Sequence, residues 1–256
     1  MHTTPYMEAL QLAGKIIMEN GGETYRAEET ICRMGEGFGL RDVESFAVPS
    51  GIFISYRGAD DELETGVKRV RRQGRNLTRV NEANQVSRLV AAGDMDCGAA
   101  LEKLREIEDM PGPFNRIWSI AAAFLCAAGF AVLFGGMWPD LLVAGAAAAV
   151  VQVVSKMMEK VHMRWLASAI VGGFLTALLP RLAMMLLPAL QADVVIAGAV
   201  MPLVPGLAMT NAVQDAMRGD MVSGLSHGVQ ALLTACLIAG GALLSSGMMR
   251  LIGGGF

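Results

Sequence analysis

Aromatic residues make up only 6% of this 256-residue chain, and charge is scarce in its second half. Of the 45 Lys, Arg, Asp and Glu residues, 34 lie within positions 1–116, which leaves 11 for the other 140. A stretch so poor in charge is not built to face water on all sides. Cysteine is also sparse: Cys32, Cys97, Cys126 and Cys236 form no CxxC pair and no Cys/His spacing, so zinc and dithiol redox sites lack their usual signatures. Cys126 and Cys236 fall in apolar runs and are expected to be small packing residues. No GxSxG occurs, the only histidine of the polar half is His2, and Ser50 in its Pro-Ser-Gly turn lacks an evident base. No enzyme activity, cofactor or metal site is therefore expected. A basic start followed by a long apolar core is missing from the N-terminus, so no cleavable secretion signal is expected.

Apolar residue is what the chain has in plenty: 53% hydrophobic, with a mean hydropathy of +0.44. The pattern predicts an α-helical integral membrane protein with five transmembrane helices, at about 117–138, 140–158, 164–187, 193–213 and 221–249. A helix needs roughly 20 residues to cross ~30 Å of hydrocarbon. These spans form a membrane domain over 113–256, preceded by a small cytoplasmic α+β domain over 1–112. Arg116, Lys156, Lys160, Arg164 and Arg218 fall on one side of the predicted spans, and Arg181 and Arg250 on the other. The more basic side faces the cytoplasm, which places the N-terminal domain inside and the C-terminal "LIGGGF" outside. The small residues of "AGAAAAVV" (144–151), Gly172-Gly173 and Gly240-Gly241 suit close helix packing in lipid. Five spans make a thin bundle, so partners are expected, a second copy of the chain among them.

In the polar half, residues 6–20 carry Leu10, Ala13 and Ile17 at helical spacing, with Gly21-Gly22 as the stop. A second helix is expected over 23–38. "VESFAVPSGIFISYRG" reads as two strands around Pro49-Ser50-Gly51, "ADDELETG" as an acidic turn and "VKRVRR" as a third strand. Helices follow near 80–92 and 99–109. Glu23 and Arg26 are three apart on one helix face, where they either pair or face the mouth of a pathway. Lys68, Arg69, Arg71, Arg72, Arg75 and Arg79 form a basic strip. Near an anionic leaflet such a strip gains about 1 kcal/mol per charge; pairing with the acidic turn is the other reading. No nucleic-acid motif accompanies it.

The stretch "MPLVPGLAMTNAVQDAMRGD" (201–220) breaks the fourth span. Pro202 deprives the Gly198 carbonyl of its helical donor, and Pro205 that of Met201. In hydrocarbon such oxygens need another donor, a cation or water, so an uncoiled segment facing a wet cavity is expected, with Gly206 allowing a bend or close approach. Asn211 and Asp215 share a helix face, Thr210 is adjacent, and a buried carboxylate can carry a proton. Asp215 and Asp220 read equally as residues at the end of the span. His227 lies early in the fifth span; an imidazole ordinarily titrates near ~6.5, which suits proton coupling, and a packed histidine is the alternative.

The order of "GGETYRAEET", "VPSGIFISY", "NLTRVNEANQVSRLV" and five spans carrying "MPLVPGLAMTNAVQDAMRGDMVSG" resembles the threonine/serine exporter (ThrE) family, in particular the larger, domain-bearing subunit of its split form. The resemblance covers about residues 6–250. It implies secondary, proton-driven export of small hydrophilic metabolites across the bacterial inner membrane. L-threonine and L-serine are the name-giving substrates, and split members handle dicarboxylates such as succinate. A second small multi-span subunit is implied as partner, because full-length relatives carry about ten spans. Glu23, Arg26, Pro49, Gly51, Asn84, Pro205, Gly206, Asn211, Asp215, Gly219 and Asp220 match the family by position. The rival is a membrane-anchored regulatory or scaffold protein whose spans only tether the N-terminal domain.

Overall fold

The computed structural model describes residues 4–71, 74–112, 114–160 and 165–251. His2, Arg72, Pro113, Arg164 and the 252–256 tail, all named above, lie outside the described residues. The chain forms two compact units, one of Met1–Pro113 with Leu207–Val229, the other of Phe114–Gly206 with Gln230–Phe256.

The first unit begins with α1 (Pro5–Glu19), whose start is set by the Thr4 hydroxyl accepting from the Met7 amide and by Pro5 in the first turn. It ends at Asn20, and Gly21 follows at φ +88, a conformation that favours glycine. Next, α2 (Thr24–Gly37) buries Thr24, Ala27, Ile31 and Met34 at a spacing of three and four. Three antiparallel strands follow in the order β1 (Arg41–Val48), β2 (Gly51–Arg57), β3 (Leu63–Arg69). On one face of the sheet Ile52, Ile54 and Tyr56 are buried; on the other, Phe46, Phe53 and Val67 are in register and exposed. The third strand starts inside the acidic stretch, four residues earlier than the "VKRVRR" reading placed it. The reason is the tight turn at 58–62, with Asp61 at φ +65, which returns the chain at once to pair Leu63 with Arg57. The turn's Asp61 pairs with Arg41 rather than with the basic strip. α3 (Leu77–Ala91) and α4 (Cys97–Asp109) are capped by the side chains of Asn76 and Asp96. Leu10, Ile17, Ile31, Ile54, Val90 and Leu104 fill the core between helices and sheet.

The second unit holds α5 (Arg116–Leu133), α6 (Trp138–Lys160), α7 (Trp165–Leu186), α8 (Ala192–Val200), a 3-10 turn (Met201–Leu203) and most of α10 (Met221–Leu251). Most of its buried residues are small: Ala127, Ala131, Ala144 and Ala148 form a cluster with Val195. A methyl group added at Gly173 would lie 2.1 Å from the Ile238 carbonyl oxygen, and one at Gly241 would lie 2.1 Å from that of Ile170. The glycine pairs thus let α7 and α10 touch backbone to backbone, as expected for packing in lipid. Asp140 is buried; its Oδ2 accepts from the Met137 amide and its Oδ1 from the Gln191 amide, both at 2.9 Å. Cys126 and Cys236 are exposed rather than packed; a small apolar side chain gains nothing by turning inward when the surroundings are apolar too.

Among the described residues four helices are long and apolar enough to span a bilayer, and a fifth span is present if α8 with its 3-10 turn and α9 (Gly206–Met217) count as one crossing bent by 59°. α7 runs on through Pro180, whereas the pair Pro202 and Pro205 ends its helix.

Candidate functional site

The break after α8 is present, but its expected consequence is corrected. The Met201 amide donates to the Gly198 carbonyl, and the Val204 amide donates to that of Met201 over 3.2 Å. A 3-10 turn shifts donors by one residue, so both oxygens freed by the prolines find partners i+3 rather than i+4. Neither is left without a donor. Pro205 sits in the break, and a methyl at Gly206 would meet open space, so close approach does not demand glycine there.

The polar cluster lies in the first unit, where α9 and the opening turns of α10 pack with the N-terminal elements. α9 reverses the usual helix pattern. Its buried residues are Asn211 and Asp215, while Leu207, Met209, Val213 and Met217 are exposed, and so is Thr210. The helix ends in a Schellman-type turn: the Asp220 amide donates to the Asp215 carbonyl over 2.9 Å, and Gly219 stands at φ +90. The Asp220 carboxylate then caps α10 by accepting from the Ser223 amide at 3.0 Å. One turn on, Gly224 lets α10 close against α9; a methyl there would lie 3.0 Å from the Ala212 oxygen and the Ala216 nitrogen.

That approach brings His227 to Asp215. The two are twelve residues apart in sequence, and Nδ1 lies 2.9 Å from Oδ2. With the carboxylate ionised, Nδ1–H is the donor. The hydroxyl of Thr24, first residue of α2, donates to the same Oδ2 over a longer 3.4 Å. Asp215 is completely buried, and its Oδ1 has no hydrogen-bond partner among the described residues. The Arg218 guanidinium stacks 3.5 Å over the ring of Tyr25 on α2. Glu28, one turn beyond Thr24, is half-buried and accepts from the Ala47 amide at 2.7 Å. Burial holds its carboxyl above the usual range; the Ala47 amide opposes this, and the charges of Asp220 and Asp215 add to it.

Of the residues picked from sequence, Asp215 and His227 come into contact, with Asn211 on the same buried face and Asp220 in the adjoining turn. Glu23 and Arg26 pair with each other at 2.9 Å at the start of α2. Burial works against the charge of Arg26, but the Tyr25 hydroxyl and Glu23 outweigh it and raise its pKa. Asn84 ties α3 to α2, with its Oδ1 accepting from Thr30 at 2.8 Å. Sequence reading did not single out Thr24, Tyr25 and Glu28. All three stand in "GGETYRAEET", and their burial comes from packing that the sequence does not signal.

A family model described as "Putative threonine/serine exporter" matches residues 8–249. The chain is 22% identical over 246 residues to a "Probable threonine/serine exporter" of Mycobacterium tuberculosis, covering 96% of this chain and 46% of that protein. It is 25% identical over 227 residues to the "Probable succinate transporter subunit YjjP" of Klebsiella aerogenes, covering 88% and 86%. The protein of that name in Escherichia coli K12 is 22% identical over 231 residues, covering 89% and 88%. The chain thus spans about half the length of the mycobacterial relative and most of the two subunits. No solved structure matches it significantly. The match across nearly the whole chain makes it a membrane protein of the threonine/serine exporter family.

Proposed function

We propose that this chain is one subunit of a secondary, proton-driven exporter of small hydrophilic metabolites of the L-threonine/L-serine class. It works with a second small multi-span membrane subunit in the bacterial inner membrane, with its N-terminal domain cytoplasmic and its C-terminus periplasmic. The observation that carries this reading is Asp215: a fully buried carboxylate on the helix after a broken span, shared by His227 and Thr24, with one oxygen unpartnered among the described residues. Buried ionisable groups in membrane segments are expensive and usually functional. Asp215 is the solute contact and proton carrier, His227 orients it, and Asn211 offers an amide one turn away.

The relatives named as succinate transporter subunits, nearly equal in length to this chain, support the two-component arrangement and keep a dicarboxylate as the second substrate reading. The cluster of Asp215, Asp220 and Glu28 favours a solute that brings positive charge.

Efflux of labelled threonine, serine and succinate is measured from cells with and without the chain and its candidate partner. Efflux is expected to need both proteins, and Asp215→Asn is expected to abolish it while the protein still inserts. A scaffold would be indifferent to Asp215→Asn, and that result would remove the exporter reading.

A further inference from the structure

Three carboxylates from separate places in the sequence act on one another in the first unit. Glu28 lies on α2 one turn beyond Thr24, whose hydroxyl meets Asp215 of α9 at 3.4 Å, and the Asp220 amide, in the turn before α10, donates to the Asp215 carbonyl over 2.9 Å; both aspartates add to the charge felt by Glu28. Little positive charge answers them among the described residues. His227 reaches the group through Asp215, and Arg218 is committed to the Tyr25 ring. Among the described residues the other neighbours of Glu28 add none: Cys32 lies one turn farther along α2, and β1 contributes the Ala47 amide. The buried Oδ1 of Asp215, without a hydrogen-bond partner among the described residues, is the second sign that the group is short of a positive charge.

We propose that Glu28, Asp215 and Asp220 form one cation site at which a proton and the ammonium group of a solute compete, with Glu28 as the specificity-determining residue supplied by the N-terminal domain. This rests on reading Asp215 as part of the transport site. Glu28 is the member within reach of water, because it is half-buried while Asp215 is fully buried. When the ammonium arrives, the O–H bond of the Glu28 carboxyl breaks and the proton leaves to water. The carboxylate so formed takes up the ammonium, so that at this carboxyl one positive charge replaces another. A proton is thereby exchanged for each solute bound, which is the logic an exporter driven by protons requires. A dicarboxylate would bring two further negative charges into the same space and is disfavoured.

The test uses the full chain in detergent, as wild type and Glu28→Gln, a change that keeps an acceptor for the Ala47 amide. Thermal unfolding is followed from about pH 4 to 8 with L-threonine, N-acetyl-L-threonine or sodium succinate. A carboxyl raised above its usual 4.5 favours the folded state fully below that value, and the benefit is lost as pH rises through the folded pKa. Wild type is therefore expected to lose thermal stability over that window and to regain it with L-threonine, but not with the N-acetyl derivative, which lacks the ammonium, or with succinate. Glu28→Gln is expected to show a flatter pH dependence and no response to threonine. Asp220→Asn, which keeps the cap on Ser223, is expected to weaken the response several-fold. A Glu28→Gln protein with wild-type pH dependence or wild-type threonine response overturns the proposal, as does equal protection by succinate. Those results leave the exporter reading standing if Asp215→Asn still abolishes efflux; if it does not, that reading falls on its own account.

Discussion

The two units of the molecule solve the packing problem in opposite ways. In the first, large aliphatic side chains are inside: Leu10, Ile16, Ile17, Ile31, Ile52 and Ile54 are all but inaccessible. In the second, the inside is dominated by alanine and glycine, while Leu125, Leu133, Leu142 and Leu243 point outward. Water makes the burial of a large side chain worth about 1.5–3 kcal/mol. Lipid removes that incentive, and what remains is close contact between backbones. The same residue type therefore has a different energetic meaning in the two units.

Several substitutions would break or sharpen this contrast. The largest effect is expected from Leu10→Ala, which should cost about 2–5 kcal/mol of stability in denaturant titration of the full chain. Leu125→Ala, on the outer face of α5, should stay within about 0.5 kcal/mol. Equal losses would mean that both units are held by the same force. Next comes a comparison of neighbours on α10. Gly241→Ala forces a methyl against the Ile170 carbonyl and should cost about 1–3 kcal/mol. Gly240→Ala meets open space and should be neutral or better by up to about 1 kcal/mol; thermal unfolding in detergent separates the two.

The smallest effect concerns Tyr56. Burial, opposed by the Thr4 hydroxyl and reinforced by Glu64, pushes its pKa up to about 12. Its contribution is complete below the usual 10 and is lost as pH rises through 12, so alkaline unfolding should begin in that window. Tyr56→Phe should remove that part of the pH dependence and cost only about 1 kcal/mol at neutral pH, because Thr4 and Glu64 still bond each other at 2.8 Å.

Much of the fold was legible from local pattern. Gly21-Gly22 after Ile17 marked the end of α1, and the Pro-Ser-Gly turn marked the hairpin of β1 and β2, because caps and turns depend on residues a few positions apart. The start of β3 was misplaced because strand pairing across a short turn outweighed the run of β-formers. The break at 202–205 was legible, since proline acts locally. The fate of the freed carbonyls was not, because a 3-10 turn and a wet opening satisfy the same sequence. The candidate site divides in the same way. Asp215 and Asn211 were visible at i, i+4 on one helix, but the Thr24 contact with Asp215 spans 191 positions. Nothing in the spacing of "GGETYRAEET" says which distant helix its buried face will meet.

Sequence alone determined where the chain turns from charged to apolar, because hydropathy and charge are sums over neighbouring residues. It also determined that the fourth span is interrupted, because a missing amide hydrogen belongs to the residue itself. Only the tertiary structure decided which carboxylates meet. The approach of α10 to α9 at Gly224 and the seating of α2 beside Asp215 are packing outcomes between segments far apart in the chain, and no local pattern encodes them.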